Sequence, residues 1–145
     1  VDVEAVRNTK DVDLLVRRED FERVVEVAQS VGFVYQNVAG VDLFLDGPNG
    51  SVRSAMYIVF AREKVRADYL LPAPDVTESE AGPEFTVAAL DALVRMKLTS
   101  FRLKDKVHLL DLLDVGLIDE TWCNRFPPEL GARLRELVES MEQEL

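Results

Sequence analysis

The chain has 145 residues and a formal net charge of −10, with 48% apolar and 30% charged residues. That balance belongs to a folded globular protein and not to a disordered tail. The negative total excludes a protein that coats nucleic acid or anionic lipid through its overall field, although a local basic patch is compatible with it. No apolar run approaches the roughly 18–20 residues of a membrane span, and no secretory signal is visible. Cys123 is the single cysteine, with no Cys or His at metal-ligand spacing, which predicts a reducing, cytoplasmic setting.

Residues 11–16, DVDLLV, alternate as a short strand does: Val12, Leu14 and Val16 share one face, and Asp11, Asp13 and Leu15 the other. Phe21, Val24, Val25 and Ala28 form an apolar stripe that predicts a helix over 19–31, stopped at Gly32. FVYQNV (33–38) and VDLFL (41–45) read as strands broken by the hairpin-like pair Ala39-Gly40, and DGPNG (46–50) is a dense turn signal. MYIVFA (56–61) and VRADYLL (65–71) read as two further strands. Residues 72–84, with three prolines and four acids, read as a surface connector. From Phe85 the pattern turns helical, with Leu90, Leu93, Val94, Leu98 and Phe101 on one buried face. A second helix is expected over about 103–115, and a third opens at Pro127-Pro128. The class is α+β: a mixed sheet of about 4–5 strands with one early helix, then a helical C-terminal section. The expected organisation is a sheet core over 1–71, the connector, and a helical part over 85–145 packed on that core within the same domain.

Asp11 and Asp13 leave the same face of their strand about 6–7 Å apart at the backbone. Two acids held so close repel unless a cation or base neutralises them. Their hard oxygens suit Mg²⁺, which is commonly held by one or two carboxylates plus substrate phosphates. An edge strand whose acids simply face water is the bland alternative. Arg7-Asn8-Thr9-Lys10 precedes the pair and supplies phosphate-friendly donors. Asp68 interrupts the later apolar run, sharing a strand face with Arg66 and Leu70; were the two strands neighbours, three carboxylates would converge on one metal. The alternative for Asp68 is an ion pair with Arg66 or Lys64.

Lys97 lies on the apolar stripe of the first C-terminal helix, where a lysine either snorkels outward or aims its ammonium into a site. Between 97 and 106 the bases Lys97, Arg102, Lys104 and Lys106 face a single acid, Asp105. Such a cluster can clamp phosphate or form a solvated helix face. His108, the only histidine, has Asp105 and Asp111 within helical reach as partners for base chemistry, but a surface or capping role is the more frequent one. Cys123 and Trp122 read as packing residues. No P-loop, Rossmann fingerprint, zinc pattern or nucleophile elbow is present.

RNTKDVDLLV (7–16) resembles the strand signature of the minimal nucleotidyltransferase fold, R-x-T-x-D-h-D-h. The resemblance continues through VRADYLL (65–71) and through the segment from Leu93 to Leu112, similar to bacterial nucleotidyltransferase-like proteins that include toxins of abortive-infection and type IV toxin–antitoxin systems. It implies that Asp11, Asp13 and Asp68 bind Mg²⁺ and carry catalysis, with Asp68 completing the metal site or activating the attacking hydroxyl. It places Arg7, Thr9, Lys97, Arg102 and Asp105 near the nucleotide. The implied reaction moves a nucleoside monophosphate from an NTP to a hydroxyl acceptor, which the sequence leaves open among a tRNA end, a protein and a small molecule. A protein partner such as an antitoxin is also implied, and no membrane. The family's Gly-Gly or Gly-Ser turn has no counterpart in VDVEAV (1–6). Either the turn lies in an upstream segment, or the protein is a degenerate homologue acting as a nucleotide- or protein-binding module.

Overall fold

A computed structural model of the chain describes residues 12–144. The early alternation forms β1 (Val12–Val16), and a 3-10 turn at Arg18–Asp20 leads into α1 (Phe21–Ser30). Three strands follow: β2 (Val34–Val38), β3 (Val41–Leu45) and β4 (Met56–Phe60). They lie in the order β1-β4-β3-β2. β1 is parallel to β4, with Val12 opposite Met56 and Val16 opposite Phe60, whereas β3 is antiparallel to both β2 and β4. Ala39 and Gly40 have φ of 52° and 82°. A two-residue loop with both positions left-handed matches the twist of the β2–β3 hairpin it closes.

Strand alternation divides the apolar residues between the two faces of this sheet. Leu14, Val16, Phe44, Ile58 and Phe60 pack with Phe21, Val24, Val25 and Ala28 of α1. Leu43, Leu45 and Ala55 cluster with Val34 and Tyr57 on the other side. Phe44 is fully buried, and burying a side chain of that size contributes about 1.5–3 kcal/mol.

The run 65–71 is not a strand. From Arg62 the chain makes an excursion and returns, closed by backbone bonds from Arg62 N to the Ala73 carbonyl (3.1 Å) and from Ala73 N to the Glu63 carbonyl (2.9 Å). Val65 and Leu70 are left exposed. An apolar run becomes a strand only where a neighbour accepts its backbone groups, and β4, not this segment, occupies the place beside β1. Ion pairs secure the excursion instead. Arg17 is bidentate to Asp75 (3.2 and 3.0 Å), Arg18 is bidentate to Glu63 (3.0 and 2.8 Å), and Arg62 reaches Glu19 at 2.8 Å.

Residues 12–68 with 72–78 form one compact unit, and residues 69–71 with 79–144 a second. The expected connector is thus divided at Glu78, and part of it is regular: β5 (Ser79–Ala81) pairs antiparallel with β6 (Thr86–Ala88). The helical pattern anticipated from Phe85 begins at α2 (Leu90–Ser100), followed by α3 (Leu103–Asp114), a 3-10 segment at Glu120–Arg125 and α4 (Pro128–Gln143). Val94, Leu98, Leu109, Ile118, Trp122, Leu130 and Leu134 form the core of this unit. Phe101, at φ 48°, ends α2 in the left-handed region. Arg133 of α4 donates to the carbonyls of Leu98 (2.7 Å) and Thr99 (3.0 Å), satisfying acceptors that a helix end leaves without intrahelical partners.

Candidate functional site

Asp13 stands on β1 opposite Tyr57 of β4, on the sheet face away from α1, and is exposed. Among the described residues β1 lies at the edge of the sheet, so Asp13 avoids the full desolvation penalty of a central position. Arg7, Thr9 and Asp11 lie outside the described residues. Asp68 sits in an exposed turn of the 61–73 excursion. This corrects the strand placement expected for it: the strand beside β1 is β4, MYIVF, which contains no acid. Among the described residues, no group of three or more His, Cys, Asp or Glu is placed to hold a metal ion. The donor chemistry of Asp13 itself, a reachable carboxylate, is that of a Mg²⁺ ligand.

The basic cluster of the second unit is built at the α2–α3 junction. Asp105, almost fully buried, occupies the third position of α3. Its carboxylate accepts from the backbone N–H of Arg102 (3.0 Å), the Arg102 Nε (2.9 Å) and the Ser100 hydroxyl (2.7 Å). Burial pushes its pKa up, but the bonds from Arg102 and Ser100 outweigh burial and hold it below the usual carboxylate value. An acid in this position satisfies an orphan amide and complements the positive end of the helix dipole. Asp105 and Arg102, expected near a nucleotide, therefore have a capping task in hand.

Lys97 resolves its two alternatives toward the interior. Its side chain is 18% exposed, and Nζ lies 2.8 Å from Nδ1 of His108 and 4.0 Å from Oδ1 of Asp105. For His108, sequence proximity points to Asp105 or Asp111, and the structure also sets Lys97 of the neighbouring helix at hydrogen-bonding distance from its Nδ1. The pairing escaped the sequence reading because it joins two helices. The signal was the lysine on the apolar stripe of α2, which places its ammonium against whatever α3 presents. Lys106 lies over the Phe101 ring at 4.5 Å. Arg133, also missed, is the residue that closes α2.

Cys123 is buried, and burial pushes its thiol pKa up, which fits a packing residue and not a nucleophile. A groove of about 320 Å³ opens along α1, lined by Leu14, Val24, Val27, Phe33 and Met56, with Asp20 and Arg23 the charged residues of its lining among those described. It lies on the α1 side of the sheet and so away from the Asp13 face. Among the described residues, no helix is long and apolar enough to cross a membrane. Comparison with family models, curated proteins and solved structures finds no match for the chain.

Proposed function

We propose that the chain is a nucleotidyltransferase-like domain that transfers a nucleoside monophosphate from an NTP to a hydroxyl acceptor with Mg²⁺, in a cytoplasmic setting. The observation that supports this reading most directly is the exposed carboxylate of Asp13 on an edge strand, within the D-x-D spacing that sets two acids on one face. Asp11 and Asp13 would hold the cation, with Asp68 as third carboxylate. Bound Mg²⁺ would neutralise triphosphate charge and align the displacement. Arg7, Thr9, Lys97, Arg102 and Asp105 complete the residues assigned to the nucleotide by resemblance.

The second reading is a homologue that binds a nucleotide or a protein, such as a toxin–antitoxin partner, without transfer. The acid-free β4 and the turn position of Asp68 favour it, because no neighbouring strand supplies the third carboxylate. Calorimetric titration of the full chain with each of the four NTPs, with and without Mg²⁺, tests both. Transfer predicts Mg²⁺-dependent binding that Asp13→Asn abolishes while the thermal transition stays in place, since removing one crowded acid relieves repulsion. Unchanged Mg²⁺-NTP affinity in Asp13→Asn refutes the metal site. An Asp68→Asn protein that binds and turns over like the wild type would remove Asp68 from catalysis.

A further inference from the structure

We propose that His108 is a positioning residue for Lys97: a neutral imidazole, protonated on Nε2, whose Nδ1 accepts a hydrogen bond from the lysine ammonium. Nδ1 and Nζ are 2.8 Å apart, and an imidazole nitrogen accepts only when it carries no proton. An imidazolium would set two cations at hydrogen-bonding distance. The reverse polarity, Nδ1–H donating to a neutral amine, requires the lysine to lose its proton far below its ordinary pKa of about 10.4. The carboxylate of Asp105, 4.0 Å from Nζ, stabilises the charged amine and opposes that loss.

The consequence is mechanical as well as electrostatic. A lysine side chain has four flexible carbons and locates its charge poorly. Here the stem is largely buried on α2, the tip is tied to α3, and α3 is itself fixed at its start by the Asp105 cap. Ordering of the ammonium thus precedes any ligand, which lowers the entropic cost of using it. The further step, that Lys97 presents this charge to a triphosphate, rests on the nucleotide reading above. The tautomer of His108 does not.

Two measurements separate these claims. The chain contains one histidine, so nitrogen NMR of the untagged protein at neutral pH reads His108 without ambiguity. A protonated Nε2 with a bare Nδ1 is expected, and Lys97→Met should relax the ring toward the ordinary tautomer mixture. A proton on Nδ1, or a doubly protonated ring, overturns the inference whatever the nucleotide experiments show. In the binding arm, His108→Leu should weaken Mg²⁺-NTP about tenfold, the scale of one hydrogen bond to a charged group, and leave affinity for the unphosphorylated nucleoside unchanged. His108→Asn, which keeps a local acceptor, should recover most of the loss. Wild-type NTP affinity in His108→Leu alongside a loss in Lys97→Met overturns the positioning role and spares Lys97 as a phosphate ligand. No loss in Lys97→Met removes Lys97 from the nucleotide site, and the positioning role with it.

Discussion

Replacing Asp105 by Asn distinguishes a structural acid from a nucleotide ligand. The native carboxylate holds the Arg102 amide at 3.0 Å, the Arg102 Nε at 2.9 Å and the Ser100 hydroxyl at 2.7 Å, with almost no exposure. The amide keeps one acceptor oxygen but removes the charge and turns its other terminus into a donor. Hydrogen bonds to charged groups contribute about 1.5–3 kcal/mol each. Arg102 is 55% exposed, so its ion pair adds less than about 1 kcal/mol. The expected loss is about 3 kcal/mol, which for a chain of this size lowers the melting temperature by roughly 10 °C. The pH dependence carries the sign. Because the folded carboxylate has a lowered pKa, the unfolded chain binds more protons through that range. The contribution is present above the ordinary carboxylate pKa and disappears as pH falls through the folded value. Thermal unfolding of both proteins should therefore show a gap that is wide at neutral pH and closes in acid. An Asn protein with an unchanged melting temperature refutes the capping argument. If it also fails to bind NTP, Asp105 belongs to the ligand.

Gly131 of α4 has no room for a methyl group, since a Cβ there would lie 2.4 Å from the Cys123 carbonyl oxygen. Gly131→Ala should lose about 1–3 kcal/mol in denaturant titration in spite of alanine's better helix propensity, and a stabilised variant would contradict this. Arg133→Met keeps the aliphatic stem but removes the donors to the Leu98 and Thr99 carbonyls. It should lose about 1–3 kcal/mol, with faster amide exchange in the last turn of α2, and an unchanged unfolding midpoint would show that solvent caps this end equally well. In the sheet unit, the Arg17 guanidinium and the Thr77 hydroxyl hold Asp75 well below the usual carboxylate range. Its contribution persists above the ordinary value and is lost as pH falls through the depressed one, so Arg17→Met should move the Asp75 carboxyl titration upward by NMR. An unmoved titration would assign the depression to Thr77 and the local backbone.

Elements with a strong local period were legible in the sequence. VDLFL fixes both its ends because Ala39-Gly40 and DGPNG terminate it, and β3 occupies those five residues. The stripe Phe21, Val24, Val25, Ala28 likewise becomes the face of α1 that packs on the sheet. VRADYLL carried as much β propensity, yet propensity describes a chain's tolerance for extension and does not supply a partner strand. What decided the outcome was the backbone pairing of Arg62 and Glu63 with Ala73 and the ion pairs to Arg17, Arg18 and Glu19. The ion pairs join residues more than forty positions apart and leave no local period to read. The β5–β6 hairpin was hidden for a related reason, since its strands are three residues each, shorter than an alternation needs to declare itself.

The same contrast governs the candidate site. Strand alternation is local, so the place of Asp13 on β1 followed from it alone, while Asp11 lies outside the described residues. The partners of Lys97 and Asp105 depend on how α2 meets α3, and charge types alone carry no such geometry. Once that geometry is known, the basic segment 97–106 is no longer a uniform patch: Arg102 is engaged with Asp105, Lys106 with the Phe101 ring, and Lys97 with His108. A phosphate arriving here would have to compete with those contacts or use charge that they leave unscreened. Lys97 is the best placed to do so, because its nearest contact is the His108 imidazole and the Asp105 carboxylate stands 4.0 Å from its ammonium, whereas Arg102 holds that carboxylate at 2.9 Å. Of the three residues assigned to a nucleotide on these helices, Lys97 is thus the one whose loss should weaken binding without first dismantling a helix cap.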